Sequence, residues 1–152
     1  MEPDPNAYEY AGFWIRVLAA LIDTVLVLLI TVPLVGWFYG WDDVAFGSND
    51  EFRPLRFTIE WLLPALATLV FWRYRAATPG KIAIRARIVD ARTGGEPSLL
   101  QLIVRYLGYF VSIFPFFLGL IWVGIDRRKQ GFHDKLARTV VIRRKSEPVK
   151  FE

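Results

Sequence analysis

The chain contains no cysteine and a single histidine, His133. The first absence excludes disulfides, thiolate metal ligands and a cysteine nucleophile. The second argues against a histidine-rich metal site or a Ser-His-Asp centre, and leaves open a single proton-transfer histidine. Long stretches are almost free of charge. Val17–Gly36 carries only Asp23, and Leu99–Ile125 carries only Arg105. Met1–Ile15 holds three acids but no lysine or arginine. A secretory signal opens with basic residues, so the first apolar run is expected to be a retained membrane helix. No nucleophile–base pair or metal cluster is visible, so neither an enzyme nor a cofactor is expected.

What is present points to a bilayer. Of 152 residues, 54% are hydrophobic and only 22% charged. That is too apolar for an ordinary soluble domain, and the length suits a single domain. Net charge is +4, but no basic stretch accompanies a nucleic-acid-binding module, so nucleic acid is not an expected partner.

The first helix is expected from about Gly12 to Gly36. Its apolar part, Val17–Gly36, is 20 residues long, or about 30 Å, the thickness of the hydrocarbon layer. Trp14 at one end and Trp37, Tyr39 and Trp41 at the other form an aromatic belt. Ala19 and Ala20 lie near the Arg16–Asp23 face, where small residues admit another helix. A second helix is expected at about 57–76, with Pro64 bending it and Glu60 near enough to its end to reach water. A third apolar helical segment covers about 98–126, with Pro115 at its middle. Residues 1–11 are expected to be a flexible N-terminus, 12–145 the membrane domain, and 146–152 a flexible tail.

Residues 73–98 are basic, and Ile82, Ala83, Ile84, Arg85, Ala86, Arg87, Ile88 and Val89 alternate as in a strand. The β-prone Thr139–Arg144 is its natural partner. The expected fold is therefore an all-α membrane protein with a small antiparallel pairing of about 82–90 with 139–144. Positive charge marks the cytoplasmic side. That places the N-terminus, the 73–98 segment and the basic C-terminal residues inside, in a cytoplasmic (inner) membrane. A hairpin or kink at Pro115 is preferred to a simple third span, which would put the basic tail outside.

A lone carboxylate at mid-membrane costs roughly 2.5–3.5 kcal/mol, so Asp23 needs a partner. Asp23 and Arg105 each lie about two helical turns into their segments, which makes them the obvious pair if both segments begin on one side. That pair would either lock helix register or exchange protons for cations. Arg16, at the interface, has Asp126 and Asp134 as candidate partners, and His133 is either a structural neighbour of Asp134 or a proton relay. Thr78 is expected to cap nearby backbone, and Pro79–Gly80 to form a tight turn. Lys81, Arg127, Arg128 and Lys129 are candidate contacts for anionic lipid or a partner protein.

GFWIRVLAALID at Gly12–Asp23, TPGK at Thr78–Lys81, VD at Val89–Asp90 and QGFHDKLARTVV at Gln130–Val141, taken in order, resemble the RDD family of small multi-pass membrane proteins. The family is named for one arginine and two aspartates, which fall here on Arg16, Asp23 and Asp134. The resemblance implies a multi-pass bacterial or archaeal membrane protein. A transport role, with sodium/proton antiport in some members, has been suggested for the domain. Relatives commonly have a glycine where this chain has Arg85. Two functions follow as expectations: exchange of a monovalent cation for protons, requiring a homo-oligomer or a partner membrane protein, or a non-catalytic module binding a partner protein or anionic lipid.

Overall fold

The computed structural model describes residues 7–47 and 53–145. The first strand, β1, is Tyr8–Tyr10, and helix α1 runs Phe13–Tyr39. At 27 residues, α1 is about 40 Å long and can cross a membrane. It ends where Gly40 takes a φ of 90° and donates its N–H to the Gly36 carbonyl. A short helix, α2, follows at Trp41–Phe46. Helix α3, Pro54–Arg75, is the second apolar helix of spanning length. Just before Pro64, Thr58–Leu62 forms a π-helical turn. Proline removes one N–H from the ladder, and the wider turn absorbs the break. Glu60, expected to reach water, accepts a hydrogen bond from Arg56 Nε at 2.9 Å.

Thr78-Pro79-Gly80-Lys81 does not make the tight turn expected of it. Pro79–Ala83 is a short helix, α4, with proline at its start, where a missing N–H costs nothing. Strand β2 is Ala86–Asp90, so the expected strand over 82–90 begins four residues late. Arg85 makes the turn between α4 and β2 with a φ of 56°. That left-handed conformation favours glycine, the residue the family resemblance leads one to expect here.

Strand β3, Thr139–Arg144, lies between the other two in the order β1-β3-β2, antiparallel to both. The expected pairing is present, with Ala86 opposite Arg143 and Asp90 opposite Thr139. The expected frayed N-terminus is different. Residues 1–6 and the tail 146–152 lie outside the described residues, but Tyr8–Tyr10 pairs with Ile142–Arg144 as the edge strand. The Ala11 N–H continues that ladder to the Val141 carbonyl at 2.9 Å.

The third apolar segment is two helices, α5 at Leu99–Ile113 and α6 at Leu118–Ile125, bent by 101°. Ser98 and Gln101 build a capping box at the start of α5. Phe114 keeps helical backbone angles before Pro115, and the chain turns just after the proline, where Phe116 and Phe117 both take positive φ. Both ends of the bent pair return to the sheet. The Gln101 amide reaches Asp90 at 2.7 Å, and Gly124 lies against Phe13 at the start of α1. Helix α7, Phe132–Ala137, then packs along α5 and leads into β3.

The core sits at this end, where Ala11, Trp72, Ala86, Ile88, Leu102 and Val141 pack together. Elsewhere α1, α3 and the bent pair expose leucine, isoleucine, valine and phenylalanine along their outer faces. Apolar surface that continuous fits hydrocarbon rather than water.

Candidate functional site

Arg16 lies one turn into α1 and spends its guanidinium on three acceptors. Nε donates to the Ala11 carbonyl at 3.0 Å, Nη1 to Asp134 Oδ2 at 2.5 Å, and Nη2 to the Lys129 carbonyl at 2.5 Å. Asp134 is the third residue of α7 and has no solvent exposure. Its Oδ2 also accepts the Gly131 N–H at 3.0 Å, capping the helix that carries it. Its Oδ1 accepts from Arg105 Nη1, which donates as well to Thr139 Oγ1 at 2.8 Å. One buried carboxylate thus joins α1, α5, α7 and the start of β3. The Arg105 guanidinium also lies 5.4 Å from the centre of the Trp72 ring, a distance at which cation and ring attract.

His133 stacks on Tyr109 with ring centres 4.0 Å apart. Its Nδ1 is 3.1 Å from Ser112 Oγ, which also accepts the His133 N–H and donates to the Gly108 carbonyl. Gly108 is glycine for a packing reason: a Cβ there would stand 2.8 Å from His133 Cα. Burial pushes the His133 imidazole down to about 3, outweighing the pull of Asp134, so it is neutral near neutral pH. The His133 Nε2–Asp134 Oδ2 distance, 3.5 Å, fits this neutral neighbour. Burial alone would raise the Asp134 carboxyl, but Arg105 and Arg16 hold it well below the usual carboxylate range.

Asp23 stands apart, and its expected pairing with Arg105 is not formed. Asp23 Oδ2 accepts from Thr78 Oγ1 at 2.5 Å, and Oδ1 from the Gly80 N–H at 2.7 Å. Equal depth in two helices says nothing of which face each side chain occupies. Arg105 turns toward α7, while α4 folds back against α1 and offers Asp23 its hydroxyl and backbone donors. Thr78 therefore bonds a distant carboxylate rather than capping its own helix. Gly80 permits the approach; a Cβ there would lie 2.0 Å from the Ala19 carbonyl oxygen.

The remaining expected residues divide. Asp126 pairs with Lys135 at 2.6 Å, not with Arg16, and its Oδ2 accepts the Arg128 and Gln130 N–H groups. Lys81, expected at a lipid surface, is only 9% exposed. Its Nζ donates to Thr78 Oγ1 at 3.3 Å, and burial lowers its ammonium below the ordinary value. Lys129 Nζ caps the Gly124 carbonyl at 3.0 Å. Arg127 and Arg128 are exposed. The sequence reading did not single out Thr139, Gln130, Ser112 or Tyr109. Only the periodicity of Leu102, Arg105, Gly108 and Ser112, one face of a helix, could have signalled part of that set. Among the described residues no group of three or more histidines or acids could hold a metal.

The RDD family model matches residues 10–138. The chain belongs to the RDD family. The uncharacterized protein RP437 of Rickettsia prowazekii is 38% identical over 92 residues, covering 60% of this chain and 51% of that protein. This chain therefore spans about half of the Rickettsia protein's length. YckC of Bacillus subtilis, also uncharacterized, is 33% identical over 90% of this chain and 86% of its own. YteJ of Bacillus subtilis, described as an uncharacterized membrane protein, is 25% identical over 95% of this chain and 87% of its own. No solved structure matches the chain. In this RDD protein Arg16, Asp23 and Asp134 form two contacts rather than one cluster: Arg16 with Asp134, and Asp23 with the start of α4.

Proposed function

We propose that this RDD protein is a non-catalytic membrane module whose sheet end faces the cytoplasm and binds anionic lipid headgroups. One observation carries the reading. At the sheet end Glu9, Asp90, Asp126 and Asp134 are each already engaged by protein donors. Exposed arginines are left over: Arg73 and Arg75 at the end of α3, and Arg127 and Arg128 just after α6. Arg127 and Arg128 follow Ile125, which is 70% exposed, so they sit where an apolar helix face gives way to charge. Each such cation near an anionic leaflet contributes about 1 kcal/mol. Reporter fusions after Lys145 test the orientation, and an extracytoplasmic signal would refute it. Native mass spectrometry in nanodiscs tests the lipid. Phosphatidylglycerol should be retained over phosphatidylcholine, and Arg127→Gln with Arg128→Gln should weaken that preference by roughly 10–30-fold. Equal retention of the two lipids would reject the reading.

Exchange of a monovalent cation for protons at Asp23 is the second reading. A cleft of about 460 Å³ between α1, α3 and α5 supports it, because Asp23 lies on the wall. Against it, both Asp23 oxygens already accept from protein donors, and a metal cation is disfavoured where N–H, O–H and a nearby ammonium converge. Proteoliposomes loaded with a pH-sensitive dye separate the readings. Cation-driven proton flux that Asp23→Asn abolishes, without loss of folded protein, would establish exchange.

A further inference from the structure

A second cavity lies on the other side of Lys81. It encloses about 260 Å³ between α1, α5, α6 and α7. Its polar wall is Arg16, Lys81, Tyr109 and His133, and the rest is apolar, with Val17 on α1 facing Leu120 and Ile121 on α6.

The arginine, lysine and aspartate charges on this wall and behind it do not balance. Arg16, Lys81 and Arg105 bring three cations to this interior against two carboxylates, Asp23 and Asp134. Every oxygen of both carboxylates already accepts a hydrogen bond from another group. The three guanidinium nitrogens of Arg16 are each spent as well. Arg105 Nε and Nη2 lack partners among the described residues but do not line the cavity, so of the cations on its wall Lys81 is the one with donors to spare. Its Nζ has three donors, and Thr78 takes one of them at 3.3 Å. A buried ammonium with donors to spare, beside an apolar slot, complements an anionic group carrying an apolar chain.

The slot also has an entrance. Phe117 and Ile121 line the cavity, yet are 55% and 47% exposed on the outer surface of the bent pair. That surface belongs to the apolar faces that fit hydrocarbon, so the entrance opens sideways into the bilayer. Charge complementarity sets the head of the occupant, and the route of entry sets its tail.

We propose that this cavity binds a single-chain anionic amphiphile. Its carboxylate or phosphate head meets Lys81, and its acyl chain lies between α1 and α6. Neutral His133 and the Tyr109 ring beside it close the inner wall. The site is separate from the exposed arginines and does not depend on them. Two sources share the chemistry: a free fatty acid and a lysophospholipid.

The test uses the full chain purified in a neutral maltoside detergent, with dansyl-labelled undecanoate as the probe. Saturable fluorescence enhancement is expected. Displacement by oleate alone would assign the site to fatty acids, and displacement by lysophosphatidylglycerol alone would assign it to lysolipids. Displacement by both would assign the shared chemistry. Oleyl alcohol, which has the chain without the charge, should compete poorly. Lys81→Met should weaken probe binding by about tenfold or more. Val17→Trp keeps every charge, fills the slot and should abolish binding, so the outcome does not hang on whether Lys81→Met folds. The Arg127→Gln, Arg128→Gln protein should bind the probe like the parent, whatever its headgroup preference. Absence of saturable binding, equal competition by oleyl alcohol, or parental affinity in Val17→Trp would overturn the proposal.

Discussion

Asp134→Asn should leave little folded protein, at a cost of about 3–5 kcal/mol, the usual penalty for breaking a buried pair. The carboxylate is fully buried between Arg16 and Arg105, whose side chains are 11% and 0% exposed. Asparagine has nearly the same shape, but it turns one acceptor into a donor aimed at a guanidinium. Two buried cations then lack a counter-charge, and the Gly131 N–H competes for the one oxygen that remains. The measurement is thermal unfolding of detergent-purified protein, followed by tryptophan emission and gel filtration. A melting temperature equal to the parent's would show that the network is not structural. Removing the charges together, as Arg16→Met, Arg105→Met and Asp134→Leu, should recover much of the loss, because no ion is then left unpaired.

The same network makes the fold sensitive to acid. His133 and Asp134 both have folded-state values below those of the unfolded chain. As pH falls, the unfolded chain therefore takes up protons first, beginning with the histidine at its ordinary 6.5. The contribution of His133 is complete above that pH and is lost as pH falls toward 3, its folded value, whereas that of Asp134 is lost only below its ordinary 3.8. The melting temperature should decline through that window.

Gly80→Ala should cost about 2–5 kcal/mol, combining overpacking with the loss of buried hydrogen bonds. The new Cβ would stand 2.0 Å from the Ala19 carbonyl oxygen and 2.9 Å from Asp23 Cγ. The Ala19 carbonyl is helix backbone and cannot move aside, so α4 must withdraw. Withdrawal takes away the Gly80 N–H and the Thr78 hydroxyl, the two donors that satisfy Asp23. A half-buried carboxylate is then left in an apolar helix without partners. Gly95→Ala is the control, since its Cβ would approach only Thr93 Oγ1, at 3.4 Å. The two variants should differ clearly in melting temperature, and coincident curves would mean that α4 docks loosely.

Much of the architecture is legible in the order of residues. A long apolar run containing a single acid reads as α1, and the structure extends it to Tyr39. Thr139–Arg144 reads as a strand, and Pro115 marks where the third segment breaks. The misplaced start of β2 has a local cause: Ile82 and Ile84 satisfy strand alternation and also fit the short helix begun by Pro79. Short apolar patterns do not separate the two, and packing of α4 on α1 decided for helix. Tyr8–Tyr10 was missed because a three-residue edge strand has no periodicity to detect.

The charged residues show where linear order stops being informative. Composition and hydropathy alone point to an integral membrane protein, and the motifs single out Arg16, Asp23 and Asp134 as candidates. They do not say who pairs with whom. Depth along a helix can be counted from sequence, whereas the direction of a side chain around the axis depends on what packs there. Arg105 faces Asp134 because α7 packs along α5, and Asp23 faces Thr78 because α4 turns back onto α1. Lys81 sits in a basic segment that reads as surface, and only the docking of α4 carries its ammonium inside. Partner choice, burial and the two cavities beside Lys81 are thus products of long-range packing, since each needs three or more elements that meet only in the folded chain.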